Sequence, residues 1–373
     1  MPTFEEIIAS LPDANIEDLD KERKETYGLK ELNALSQDFG TKPCALVLGA
    51  GVSIDAGAPT WEALVSSLML RALSDKLNIT DDKLRALSEL FASTLPGSPI
   101  VRARYIQGEM QPIDFRNSIR NELYRNTDIT RSELLLKLAW LCTDHKFIAQ
   151  GAGIREILTY NFDVLFEETL AGLGTAVEVT RPFETASPGL CIHHVHGQLP
   201  RRPEPDEWIV LSESDYHNQY ATPHAWSNVV QLSAFSQRVC IFVGLSFDDP
   251  NLRRLLEMAS PRRNGSPQKS RHYAFLRQTD PTAMSNRFSL KWSTAGRPST
   301  KQIEKFNARA NWMALLTDKA RESALDELGI KAVWYKKHAE LPGLISSLTF
   351  GHWLKEALSG LAEKRAAGAH LHI

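Results

Sequence analysis

Apolar residues in this chain fall into two kinds of stretch. Short unbroken runs come first: "CALVLGA" (44–50), "REILTYNFD" (155–163), "VEVT" (177–180), "CIHHVHG" (191–197), "VCIFVGLSFDDP" (239–250), "HYAFL" (272–276) and "IKAVWY" (330–335). Runs of this length, bounded by Gly, Asp or Pro, predict buried strands that lead into loops. Between them lie longer stretches with helical spacing of apolar residues. These are "TWEALVSSLMLRALSDKL" (60–77, with Thr60 as N-cap), "AWSNVVQLSAFSQR" (225–238), "NLRRLLEMAS" (251–260) and "IEKFNARANWMALLTDKARESALDELG" (303–329). "EWIVLSESDYHNQY" (207–220) reads as a short strand followed by a helix start.

Buried strands alternating with amphipathic helices predict an α/β fold, a Rossmann-like parallel sheet flanked by helices. From "DDKLRALSELFASTL" to "RSELLLKLAWLCTDHK" the pattern is almost wholly helical. That block predicts an inserted helical subdomain over about 75–150. Residues 1–40 read as a helical extension, with Phe4, Ile7, Ile8 and Leu11 on one face. The main domain then spans 41–350, and 351–373 forms a C-terminal helix or tail.

Composition narrows the class. The 373 residues are 43% hydrophobic and 24% charged, as in soluble globular proteins. A net charge of -2 supplies no global field for nucleic acid. Arg262, Arg263, Lys269, Arg271, Arg277, Arg287, Lys291, Arg297 and Lys301 face only Asp280 over 261–301. Without interleaved aromatics, that basic segment reads first as a solvated loop and only weakly as a nucleic-acid contact. Cys44, Cys142, Cys191 and Cys240 are isolated, which excludes a paired-cysteine zinc module and fits a reducing compartment. The start of the chain has no leader pattern, and no apolar run approaches ~18 residues. The expectation is a soluble, cytoplasmic protein with no membrane segment.

Candidate chemistry collects at strand ends, where open α/β sheets bind ligands. After the first strand come Gly49, Ala50 and Gly51, then Ser53, Asp55, Gly57 and Trp61. A strand, glycines and a following helix N-terminus would make an anion site. A dehydrogenase fingerprint needs a third glycine where Ile54 stands, and a P-loop needs Gly-Lys-Ser/Thr. Neither is present. The other ends carry Asn161 and Asp163, His196 and Gly197, and Gly244, Ser246, Asp248 and Asp249. Each has a plain structural reading: a helix cap, a turn histidine, a tight turn. His193, His194 and His196 do not predict a metal site, because alternation sends His193 and His194 to opposite faces. No metal is expected.

Taken together, "GAGVSIDAGAPTW", "TYNFD", "VHG" and "VGLSFDDPNL" resemble the sirtuin superfamily in order and spacing, over roughly residues 40–260. The resemblance is closest to the sirtuin-like NAD hydrolases of prokaryotic anti-phage defence. Paired C-x-x-C motifs and the F-G-E segment of the deacylases are missing, and "IVLSESDY" stands in the latter's place. The resemblance implies that 41–350 is an NAD-binding catalytic domain and that NAD is its substrate, cleaved to nicotinamide and ADP-ribose. It implies Asn161 and His196 as catalytic residues. It implies NAD contacts from Gly49, Ala50, Gly51, Ser53, Asp55, Trp61, Asp163, Gly244 and Ser246, with Asp163 on the nicotinamide carboxamide. It also implies a homo-oligomer, or a separately encoded activator such as a HerA-like hexameric ATPase. Two alternatives stay open: a deacylase or ADP-ribosyltransferase, and a non-catalytic module that senses NAD or ADP-ribose.

Overall fold

The computed structural model describes residues 16–77, 98–180, 189–205, 207–260, 272–282 and 300–349. Within them lie seven strands: β1 (Pro43–Leu48), β2 (Gly153–Thr159), β3 (Glu178–Val179), β4 (Cys191–His194), β5 (Val239–Val243), β6 (His272–Arg277) and β7 (Ile330–Tyr335). They form one sheet in the order β3-β4-β2-β1-β5-β6-β7, with every pair parallel. The fold is a Rossmann-like α/β fold, as the run pattern predicts.

Alternation along the strands divides the core into two layers. Cys44, Leu46 and Leu48 of β1, with Ile241 of β5 and Ile157 of β2, face one layer. It is closed by the helices Lys30–Thr41 (through Leu35 and Phe39), Glu133–Cys142 and Leu165–Gly172. Ala45 and Val47 of β1, with Cys240 and Phe242 of β5, face the other. Phe235 of the helix Trp226–Gln237, Leu252 and Leu255 of the helix Pro250–Ala259, and Leu325 of the helix Thr300–Glu327 close that side. Every residue from Cys44 to Leu48 is fully buried, as parallel strands covered on both faces require.

The helical block between β1 and β2 has two parts. The helix Glu133–Cys142 packs on the sheet through Leu134, Leu135, Leu138 and Leu141. The helices Trp61–Leu77, Pro99–Gly108 and Pro112–Tyr124 enclose a smaller core of their own, with Leu68, Ile106, Phe115 and Ile119. Phe162, Leu199 and Leu211 from the loops after β2 and β4 complete it, so this subdomain sits over the C-terminal ends of the strands. Thr60 caps the first of these helices, accepting from the Ala63 N–H at 3.2 Å. The N-terminal extension includes the helices Ile16–Thr26 and Lys30–Thr41. The face drawn from Phe4 to Leu11, the tail 351–373 and most of the basic segment lie outside the described residues.

Candidate functional site

Strand register brings the candidate residues to one edge. Leu48 pairs with Thr159 on one side and Val243 on the other, and Thr159 pairs with His194. Four strands therefore stop at one level; Gly49 and Gly244 follow directly, and Asn161 and His196 stand one residue further on. β1 is also where the winding reverses: β2, β4 and β3 lie on one side and β5, β6 and β7 on the other. A reversal of this kind leaves a crevice outside the strand ends, the usual ligand position in open α/β sheets.

The glycine loop departs from the expected helix start. Ala50–Val52 form a single 3-10 turn, and the next α-helix begins only at Trp61. An α-helix N-terminus therefore does not follow the glycines directly; the helix read from Thr60 starts ten residues after Gly51. The cause is hydrogen bonding within the loop itself. Gly51 donates to the Gly244 carbonyl, Val52 to Gly49 and Ser53 to Ala50. Gly49 donates to Val243, so the loop is sewn to the β5 turn. The contact demands glycine: a Cβ on Gly51 would sit 2.7 Å from Gly244 Cα, and Gly244 has φ +73. Gly57 is similarly constrained, at φ +95 with the Asn126 carbonyl 2.3 Å from where a Cβ would be. Ala50 and Asp55 are exposed on the outer side of the loop. Asp55 lies 3.4 Å from His338, in the turn after β7. Trp61 stacks at a tilt on Phe162, with ring centroids 6.1 Å apart.

Ser53, Asn161 and Asp163 form one buried group. Asn161 Nδ2 donates to Ser53 Oγ at 3.2 Å, and Ser53 Oγ donates to Asp163 Oδ1 at 3.1 Å. Asp163 Oδ1 also accepts from the Leu165 N–H at 3.2 Å, so its helix-capping role and its place in this group coexist. Burial, reinforced by Glu167, pushes the Asp163 carboxyl up to about 6 despite those donors. Asn161 Oδ1 is buried with no hydrogen-bond partner. An orphaned buried carbonyl costs about 1–3 kcal/mol, so the site is built at the expense of stability.

His196 is enclosed by rings and one carboxylate. Tyr160 and Tyr216 meet it edge-on, with centroids 4.8 and 5.5 Å away. Its Nε2 lies 3.1 Å from Asp249 Oδ2 without meeting hydrogen-bond geometry. Asp249 in turn accepts from the Tyr216 hydroxyl at 2.9 Å and, through Oδ1, from the Leu252 N–H at 2.8 Å. Burial opposes its charge, but the His196 ring and these donors outweigh it and hold the carboxyl below its usual range. Asp249 and Tyr216 are site residues that sequence reasoning did not assign. The only signal for Asp249 was its place just after the β5 turn.

Ser246 is exposed in that turn, and Phe247 beside it takes φ 64, a left-handed backbone rarely used by bulky residues. The three neighbouring histidines each meet a different carboxylate: His193 lies near Glu156, His194 near Glu167 and His196 near Asp249. Among the described residues no cluster of three or more His, Cys, Asp or Glu is placed to hold a metal. A cavity of about 780 Å³ lined by Arg71, Asp114, Arg120 and Arg201 contains none of the motif residues. Size is therefore a poorer guide here than chemistry. A cavity of about 230 Å³ does reach the motifs, at His194 and Gly197 beside Trp208 and Trp226.

Residues 155–295 match the family model described as a SIR2-like domain. The match runs from β2 past β6 and contains Asn161, Asp163, His196, Gly244 and Ser246. The glycine loop lies outside the matched residues and joins the SIR2-like part through Gly51–Gly244 and Ser53–Asp163. No curated protein matches the chain. A SIR2-like domain points to an NAD-utilising enzyme. Among the described residues no helix is long and apolar enough to cross a membrane.

Proposed function

We propose that the chain is an NAD⁺ glycohydrolase. Water replaces nicotinamide at the anomeric carbon of the nicotinamide ribose, giving nicotinamide, ADP-ribose and a proton. The leaving group is already cationic, so the bond breaks through an oxocarbenium-like state and the protein mainly positions and desolvates. The single observation that supports this reading most is the unpartnered Asn161 Oδ1, buried at the strand edge that also carries His196. Its amide nitrogen is tied to Ser53, so Oδ1 is the atom offered to a ribose hydroxyl or to the attacking water.

His196 takes the proton as general base, and Asp249 beside Nε2 stabilises the imidazolium that results. Asp163 holds the nicotinamide carboxamide, whose N–H₂ suits a carboxylate acceptor. Gly49, Ala50, Gly51 and Ser53 form the loop under the pyrophosphate. Gly244 and Ser246 lie on the adenosine side. Asp55 and Trp61 flank the nicotinamide ribose. The setting, NAD depletion in phage defence, is supported by the motif resemblance.

The test is nicotinamide release from NAD⁺ by the purified chain, with Asn161→Ala and His196→Ala alongside. The expected result is release by the parent chain and loss of at least 10²-fold in both variants. Full activity in both variants would overturn the assignment. Stoichiometric NAD binding without turnover would favour the sensor instead.

A further inference from the structure

His194 is buried, and both of its ring nitrogens face acceptors. Nδ1 lies 3.0 Å from the Asn161 backbone carbonyl oxygen, which can only accept, so Nδ1 carries a hydrogen. Nε2 meets Glu167 Oε1, and an ionised carboxylate also only accepts. A neutral ring would turn the Nε2 lone pair against that carboxylate. One further proton must therefore lie between Nε2 and Glu167, whichever atom holds it.

We propose that His194 is a positioning residue: doubly protonated, it meets Glu167 through Nε2 and holds the Asn161 carbonyl through Nδ1, and loss of one proton leaves a single ring hydrogen that goes to Nε2, against the charged carboxylate, and releases Asn161. The proposal rests on the reading of Asn161 as catalytic. Asn161 has three anchors. Its N–H donates to Thr159 Oγ1 at 3.1 Å, its Nδ2 to Ser53, and its carbonyl accepts from His194. The first anchor is local to β2, the second crosses to the glycine loop, and the third comes from β4. Only the third meets a titrating ring directly; the second reaches the Asp163 carboxyl through Ser53. His194 sits two residues before His196 in the chain, so the end of β4 and the turn just after it carry both the general base and the hold on its partner.

The surrounding charges favour the proton. Glu167 faces the ring from the helix Leu165–Gly172, and Asp163 adds negative charge from the loop before it. Glu204 and Glu207 line the cavity on the other side of the ring, with Glu207 paired to Arg120. Glu168 on the same helix is paired to Arg201. His193 turns away, towards Thr180 and Glu156. Burial opposes the imidazolium, yet Glu167, the Asn161 carbonyl and Asp163 together outweigh it, and His194 is held above its usual range. Its proton is thus present below the ordinary histidine pKa of about 6.5 and is lost only as pH rises through the higher folded value. The hold on Asn161 fails on the alkaline side.

The experiment combines NMR with a pH–rate profile on the full chain. The His194 ring is followed by its Cε1–H resonance, assigned by its absence from His194→Ala. The Phe162 amide reports on the Asn161 carbonyl that precedes it. In the parent chain the ring should titrate above about 6.5, and the Phe162 amide should shift with the same midpoint. Glu167→Gln puts an amide donor against Nε2 and removes the need for the shared proton. It should move the alkaline limb of nicotinamide release upwards by at least about one pH unit, while the ring turns neutral near or below 6.5.

A parent ring that titrates at or below about 6.5 overturns the proposal, as does a Phe162 amide that ignores the ring. An unchanged alkaline limb in Glu167→Gln overturns it as well. If the chain releases no nicotinamide at all, the proposed reaction fails, while the two NMR midpoints still decide whether the proton holds Asn161.

Discussion

Asp163→Asn separates what the site does for stability from what it does for function. The Asp163 carboxyl is buried and held up to about 6 from its ordinary 3.8. Below pH ~4 it is protonated in both folded and unfolded chains and contributes no difference. Between pH ~4 and ~6 the folded chain binds the proton that the unfolded chain releases, so the parent loses stability as pH rises through that window. At about 1.4 kcal/mol per pH unit, the loss reaches about 3 kcal/mol above pH 6. Asparagine keeps the Oδ1 that accepts from Ser53 and Leu165 and has no charge to bury.

The variant should therefore match the parent near pH 4 and gain up to about 3 kcal/mol by pH 7. For a chain of 373 residues, about 2.1 cal/mol/K per residue converts that into a rise in Tm of about 4 °C. Thermal and urea unfolding at pH 4, 5, 6, 7 and 8 would measure it. A stability difference that does not grow between pH 4 and 7 would refute the argument, whatever its size at any one pH. Nicotinamide release by the same variant should fall, because the carboxylate acceptor for the carboxamide is gone; gaining stability while losing activity is the common pattern at such sites.

Three further outcomes are expected. Asp249→Asn keeps Oδ1 for the helix cap and puts an N–H₂ that can donate to the Tyr216 hydroxyl where Oδ2 stood, but removes the charge beside His196. It should leave Tm within a few degrees of the parent while lowering kcat roughly 10- to 100-fold, which steady-state kinetics would show. Gly244→Ala forces a Cβ to within 2.7 Å of Val52 N at φ +73, so it should cost about 1–3 kcal/mol and weaken NAD binding in calorimetry. Phe39→Ala empties a fully buried site packed edge-on against Phe147 at 5.2 Å, far from the strand ends. It should cost about 3–5 kcal/mol in urea unfolding and leave kcat unchanged at temperatures where the chain stays folded.

Fold class was legible because a parallel sheet covered on both faces imposes a strong local signature. The runs at 44–50, 155–163, 239–250 and 272–276 each overlap an observed strand to within two residues at its start, and "IKAVWY" coincides with β7 from Ile330 to Tyr335. The candidate edge was legible for a related reason: in such a sheet, the residues just past each run share one end. The glycine loop was misread in part. Its residues advertise close backbone approach, but not whether the freed N–H groups turn outward to an anion or inward to neighbouring carbonyls. That choice is made by the β5 turn, nearly two hundred residues further along the chain.

What the sequence determined by itself was therefore periodic and local: strands, helices, the Thr60 cap and which residue types stand at each strand end. Strand order and register were decided only by the tertiary structure. They make β1 the switch point and level Leu48, Thr159, His194 and Val243 at one edge. Partners distant in sequence were decided there too. Asp249 faces His196, Ser53 lies between Asn161 and Asp163, and Glu167 faces His194 because packing puts them there. Local sequence sets backbone propensity and the direction of alternation. The long-range pairing of one polar side chain with another follows from how helices settle on the sheet, and no spacing along the chain encodes it.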